Sequence, residues 1–281
     1  MSSVTTNKRL LAVAGFIATC LCVFALYSLG PEKVLIALRG GDAAWILMAL
    51  LMAMVPTLCS GVRLHWLSGG AMPLAQACSS SVRAAAFNLV VPARLGESDR
   101  VLALAKYTGK LRALALIALD NFAWLSIFGL CVAVFTPTLL AERLTIQTKW
   151  ILHVLVVSAL LGIVALVVFG DRHFKAGGRS RVLVLFVLAA LSWCFEAVVV
   201  ACLLRAYAID IQASFAVVAA VTLGLTIPVP AGLGIWEFAT QTTLALYGVD
   251  EARGFAVGVA YHALYCASVL VAWALMKVKK E

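Results

Sequence analysis

Arg83, Asn88, Arg94, Glu97 and Asp99 fall within one short stretch of an otherwise apolar chain, and their types suit the recognition of charge more than bond making. A guanidinium offers a fixed fork of donors that matches a phosphate or carboxylate. Pro92 removes a backbone donor and restrains the residue before it, and Gly96 permits a turn open to few other residues. Glu97 and Asp99 then stand where a helix begins, at its positive end. A second stretch, Leu225-Thr-Ile-Pro-Val-Pro-Ala-Gly-Leu-Gly-Ile-Trp-Glu237, sets Pro228, Pro230, Gly232 and Gly234 ahead of another acid. It cannot form a regular helix, so its free amides would suit an anion and Glu237 a cation or a proton. The plainer readings stay open: positive charge flanking a span with a capped helix in the first case, a structural turn in the second.

The two stretches are related. Val91-Pro-Ala-Arg-Leu-Gly96 recurs as Val229-Pro-Ala-Gly-Leu-Gly234, about half the chain further on. Such a separation marks two fused copies of one unit, with boundaries at about 8–140 and 141–281 within a single domain, 1–281.

Composition decides what carries the repeat. Hydrophobic residues make up 64% and charged ones 12%, with mean hydropathy +1.04, whereas a soluble domain is about half apolar and about a quarter charged. The net charge of +9 lies in short connectors beside apolar runs, the pattern of membrane topology and not of nucleic-acid binding. Eight cysteines lie mostly in apolar stretches without a C-x-x-C and read as small buried hydrophobes. The four histidines have no metal-ligand spacing, and neither a P-loop nor G-x-S-x-G occurs. No metal, cofactor or catalytic residue is therefore expected, and the chain is not expected to be an enzyme.

Apolar stretches at 10–29, 43–62, 113–137, 150–170, 182–204 and 253–276 each approach the roughly 20 residues that cross a hydrocarbon core. Two others, about 74–92 and 214–248, are broken by Pro and Gly, which membrane depth tolerates only where protein or a wet cavity covers the backbone. The expectation is an all-α polytopic membrane protein with about six full transmembrane helices and two re-entrant broken hairpins; an ordinary kinked helix pair is the alternative for the hairpins. With a cytoplasmic N-terminus, sixteen of the 22 Lys and Arg fall inside, Arg63 and Arg100 among them, and both termini are cytoplasmic. Three full crossings per half turn the second half upside down. That is an inverted-topology internal repeat, whose broken segments point to a midplane transport site.

Asp120 and Glu196 lie inside predicted spans, where an ionisable group is costly and marks a cavity or a partner. The structural alternative is a buried pair with Arg83, Arg94 or Asn121. Gly254-x-x-x-Gly258 is a weak helix-packing signal.

Asn88-x-x-x-Pro92-x-Arg94-x-Gly96-Glu97, paired with Pro228-x-Pro230-x-Gly232-x-Gly234-x-x-Glu237, resembles the membrane region of lysylphosphatidylglycerol synthases, the flippase-like family. The resemblance covers essentially the whole chain. It implies a translocase of the bacterial inner membrane that moves a phospholipid or aminoacylated phospholipid between leaflets, with a lipid-synthesising enzyme or a second copy of the chain as candidate partners. A hopanoid or glycolipid is the alternative cargo. The resemblance directs Arg83, Asn88, Arg94, Glu97, Asp99, Asp120, Glu196 and Glu237 to a lipid headgroup, with Pro92, Gly96, Pro228, Pro230, Gly232 and Gly234 shaping the backbone. Val229 and Trp236 stand where the family carries a small residue and a base. The chain ends soon after its last apolar stretch, so lipid synthesis is not expected of it. A membrane-embedded lipid-linked transferase and a regulatory scaffold are the competing classes.

Overall fold

The computed structural model describes residues 27, 30–89, 96–140, 157, 160, 164, 178–225 and 232–278. Within them the helices are α1 Pro31–Arg39, α2 Ala43–Leu67, α3 Leu74–Asn88, α4 Glu97–Thr108, α5 Lys110–Leu140, α6 Gly178–Ala206, α7 Ser214–Gly224, α8 Ile235–Leu246 and α9 Glu251–Val278. No strand occurs among the described residues. Four segments are long and apolar enough to cross a membrane, Ala43–Leu67, Lys110–Cys131, Arg181–Ala206 and Glu251–Met276, where hydropathy places them. Apart from residues 27, 157, 160 and 164, the expected spans at 10–29 and 150–170 lie outside the described residues, as do Pro92, Arg94, Pro228 and Pro230.

α2 and α6 form the most extensive contact and run antiparallel. The Asp42 amide donates to the Ala206 carbonyl at 2.9 Å at one end. At the other, the Arg181 guanidinium approaches Gly69. Several of the remaining contacts come in matched pairs across the two halves. α3 packs on α2 as α7 packs on α6, α4 packs on α5 as α8 packs on α9, and α3 touches α9 as α7 touches α5. Buried apolar side chains such as Leu203, Leu204, Val217, Val257 and Phe128 fill the main core, and Leu64, Leu104 and Ile117 a second one around α4 and α5.

Each half holds a V of two short helices. Leu89 and Gly96 stand at the closed end of the first, where Gly96 needs to lack a side chain. A Cβ on Gly96 would stand 2.1 Å from the Ala84 carbonyl oxygen, and the Gly96 amide donates to Asn88 Oδ1 at 2.7 Å. At its open end Tyr107 donates to Gln76, so both arms finish at one end of the bundle. In the second V, Gly232 and Gly234 take left-handed φ of +67° and +80°. Its open end lies at the opposite end of the bundle, beside the start of α2, where Arg253 Nη2 donates to the Tyr207 carbonyl. Glycine also sets the α8–α9 contact, since a Cβ on Gly258 would lie 2.7 Å from Glu237 Cα.

Candidate functional site

Between the halves lies a cavity of about 240 Å³. Every helix from α2 to α9 contributes to its wall, and Leu89, Glu97, Leu225 and Gly232 bring the edges of both breaks into it. The edges of both interruptions therefore border this space, and membrane depth tolerates broken backbone where protein or a cavity covers it.

One wall is charged. Asp120 is fully buried, and its two oxygens accept from Arg63 Nε at 2.7 Å and Arg100 Nη2 at 2.6 Å. Arg63 Nη1 donates onward to Ser192 Oγ at 2.9 Å, and Arg100 Nη1 to Glu97 Oε2 at 2.8 Å. Arg63 is 5% exposed and Arg100 3%, yet both line the cavity. Arg100 Nε is buried without a partner.

The other wall is aromatic and acidic. Glu196 follows Ser192 on α6 by one turn, about 6 Å along the axis, and Tyr261 Oη donates to its Oε2 at 3.1 Å. Trp124 and Trp193 meet at 4.3 Å between centroids, and Trp236 meets Tyr261 edge-on at 4.6 Å. All four line the same space. A cation is held by a carboxylate and by aromatic faces, an anion by the guanidinium side.

The sequence-predicted residues divide. Asn88, Glu97 and Glu196 line the cavity, and Asp120 sits behind it holding both arginines. Arg83 and Asp99 pair with each other at 3.2 Å on an accessible face; neither lines the cavity. Glu237 lies behind Trp236, 2.9 Å from His262 Nδ1. Gly96, Gly232 and Gly234 shape the breaks, and Arg94 lies outside the described residues.

Arg63 and Arg100, read from the sequence as cytoplasmic loop charges, are instead interior. They are also the partners of Asp120, in place of Arg83 and Asn121. Both sit near the ends of apolar runs, where a charge turned inward and one turned to water have the same sequence pattern. The signal available was Asp120 itself, since a carboxylate within a span requires a cation. His262 had no spacing to mark it.

The family model described as Lysylphosphatidylglycerol synthase TM region matches residues 10–176 and 168–272. Among curated proteins, none matches the chain.

Proposed function

Because the chain belongs to the family of lysylphosphatidylglycerol synthase TM regions, we propose that it is a lipid translocase, moving a phospholipid or aminoacylated phospholipid between the leaflets of the bacterial inner membrane. The observation that carries the reading is the cavity with two charged walls at the contact of the two halves. Its volume suits a headgroup and not acyl chains, which stay in the bilayer while the headgroup passes. Arg63, Arg100 and Asn88 take the phosphate; Glu196 and its aromatic neighbours take an ammonium.

The same reading makes each V a re-entrant hairpin. α3 and α4, with 15 and 12 residues, reach about 22 and 18 Å, short of the roughly 30 Å hydrocarbon core. Both arms of the first V return to one end of the bundle and both arms of the second to the other, which supports an inverted-topology repeat. Lys106, Lys110, Arg112 and Arg181 gather at the end of the first V. Arg179, at the start of α6, adds to that end, against Lys33, Arg39, Arg205 and Arg253 at the other. The larger number of bases supports a cytoplasmic first end.

The test is dye-labelled phospholipid in proteoliposomes with a membrane-impermeant quencher added outside. Movement between leaflets exposes label from both leaflets to the quencher. Protection of the inner-leaflet label, with folded protein in the vesicles, would overturn the reading.

A further inference from the structure

Glu237 and His262 have no part in the headgroup cavity, yet their burial requires an account. Glu237 is 6% and His262 7% exposed. Their 2.9 Å contact joins Oε1 to Nδ1 and needs a hydrogen between them. Glu237 Oε2, His262 Nε2 and Thr240 Oγ1 are buried without partners. A structural pair would have satisfied these atoms, because unpartnered buried polar groups are costly. The pair is also coupled to the cavity wall. Trp236 lies flat over His262 at 5.5 Å and 10°, and meets Tyr261 edge-on. Glu237 itself stands in the first turn of α8, directly after the second break.

We propose that the Glu237–His262 pair is a proton-binding site that drives the transport, one proton crossing for each headgroup moved; the inference rests on the translocase reading. With the proton in place, the carboxylate and imidazolium neutralise each other. Once the imidazolium gives up one of its two ring protons, the neutral ring can still donate Nδ1–H to Oε1, but Glu237 is left a buried charge without a counter-ion, which water relieves. Water reaches it when Trp236, shared between the pair and the cavity, moves aside. Proton release and a change of cavity access are thus one event. The proton enters from water on one side, completes the imidazolium, and leaves to water on the other.

The surroundings leave this pair in control. On α9 the ionisable neighbours are Tyr261, Tyr265 and Cys266, whose thiol adjoins the imidazole. From α6, Glu196 reaches Tyr261 only, and α7 carries no ionisable residue. Among the other elements packed on α9, Arg63 and Arg83 are held by Asp120 and Asp99, and His65 lies against the Met72 carbonyl. Cys59 and Cys78 are thiols, and Glu32, Lys33 and Arg39 on α1 are exposed. A metal ion does not fit, since no group of three His, Cys, Asp or Glu converges among the described residues.

Proteoliposomes carrying a pH gradient of one unit test this, with a labelled phospholipid and an entrapped pH-sensitive dye. One proton per lipid shifts the steady-state leaflet ratio by up to about tenfold, since one pH unit is worth about 1.36 kcal/mol per proton. Glu237→Gln and His262→Gln lose that asymmetry and the accompanying proton flux. In the wild type, lipid that moves but stays evenly distributed overturns the coupling alone, whatever the variants' folding. Lipid that never moves overturns the translocase reading and the coupling with it. Asymmetry raised equally by a sodium gradient, or kept in both folded variants, also overturns the assignment.

Discussion

Replacing Asp120 with Asn isolates what the buried triad contributes. The carboxylate is fully buried and accepts from two guanidinium groups at 2.7 and 2.6 Å. A carboxamide keeps one acceptor oxygen and turns a donor toward the other arginine, so one charge-assisted bond is lost and the second weakened. Hydrogen bonds to charged groups are worth about 1.5–3 kcal/mol each, and breaking a buried ion pair costs about 3–5 kcal/mol. Asp120→Asn is therefore expected to destabilise by about 3–5 kcal/mol, or about two to three and a half powers of ten in the unfolding constant. The assay is reversible detergent unfolding followed by circular dichroism. Asp99→Asn serves as the control, because that pair has side chains 44% and 37% exposed and such pairs are worth about 0–1 kcal/mol. Combining Arg63→Met with Asp120→Asn removes the surplus positive charge and should recover part of the loss. Equal, sub-kilocalorie effects of Asp120→Asn and Asp99→Asn would refute the claim that the triad is what makes Arg63 and Arg100 tolerable inside.

Gly258→Ala places a methyl 2.7 Å from Glu237 Cα, so α8 must shift off α9. A loss of about 1–3 kcal/mol is expected, read as a lower thermal midpoint in detergent; an unchanged midpoint would mean that the contact gives freely. Glu196→Gln should weaken binding of an aminoacylated phospholipid about tenfold, a change worth about 1.4 kcal/mol, and leave unmodified phosphatidylglycerol unaffected. Native mass spectrometry of competing lipids measures this, and an equal effect on both lipids would show that Glu196 does not read headgroup charge. Cysteines introduced at Lys110 and Lys33 should react with impermeant reagents from opposite sides of the membrane, Lys110 from the cytoplasm.

The long apolar runs were legible because hydropathy over a span is a local quantity. It locates α2, α5, α6 and α9 to within a few residues, with the largest departure at the end of α2, which runs past the expected 62 to Leu67. The breaks were legible for a similar reason, since proline and glycine act on their own backbone, and α3 stops at Asn88 while α8 starts only after Gly234. Partnership was not local. Asp120 announced the need for a cation, but its cations come from α2 and α4, and only packing brings Arg63 and Arg100 to it. Arg83, nearer to the motif, is held by Asp99 through the fold of the first V. His262 meets Glu237 across the α8–α9 contact that Gly258 permits, so the weak glycine signal was the one trace of it.

The charged contacts in the interior also divide by half. Arg63, Arg100 and Asp120 all precede residue 141, and Glu196, Glu237, Tyr261 and His262 all follow it. What crosses between the halves is neutral at one partner, such as Arg63 with Ser192, or wholly neutral, such as Trp193 with the Trp124 carbonyl. During synthesis the first half therefore has its own counter-ions in hand before α6 has left the ribosome. Among the described residues, a nascent chain stalled after α5 holds no stranded buried charge. Two fragments divided between α5 and α6 should each enter the membrane unaided, and then join through a largely apolar seam.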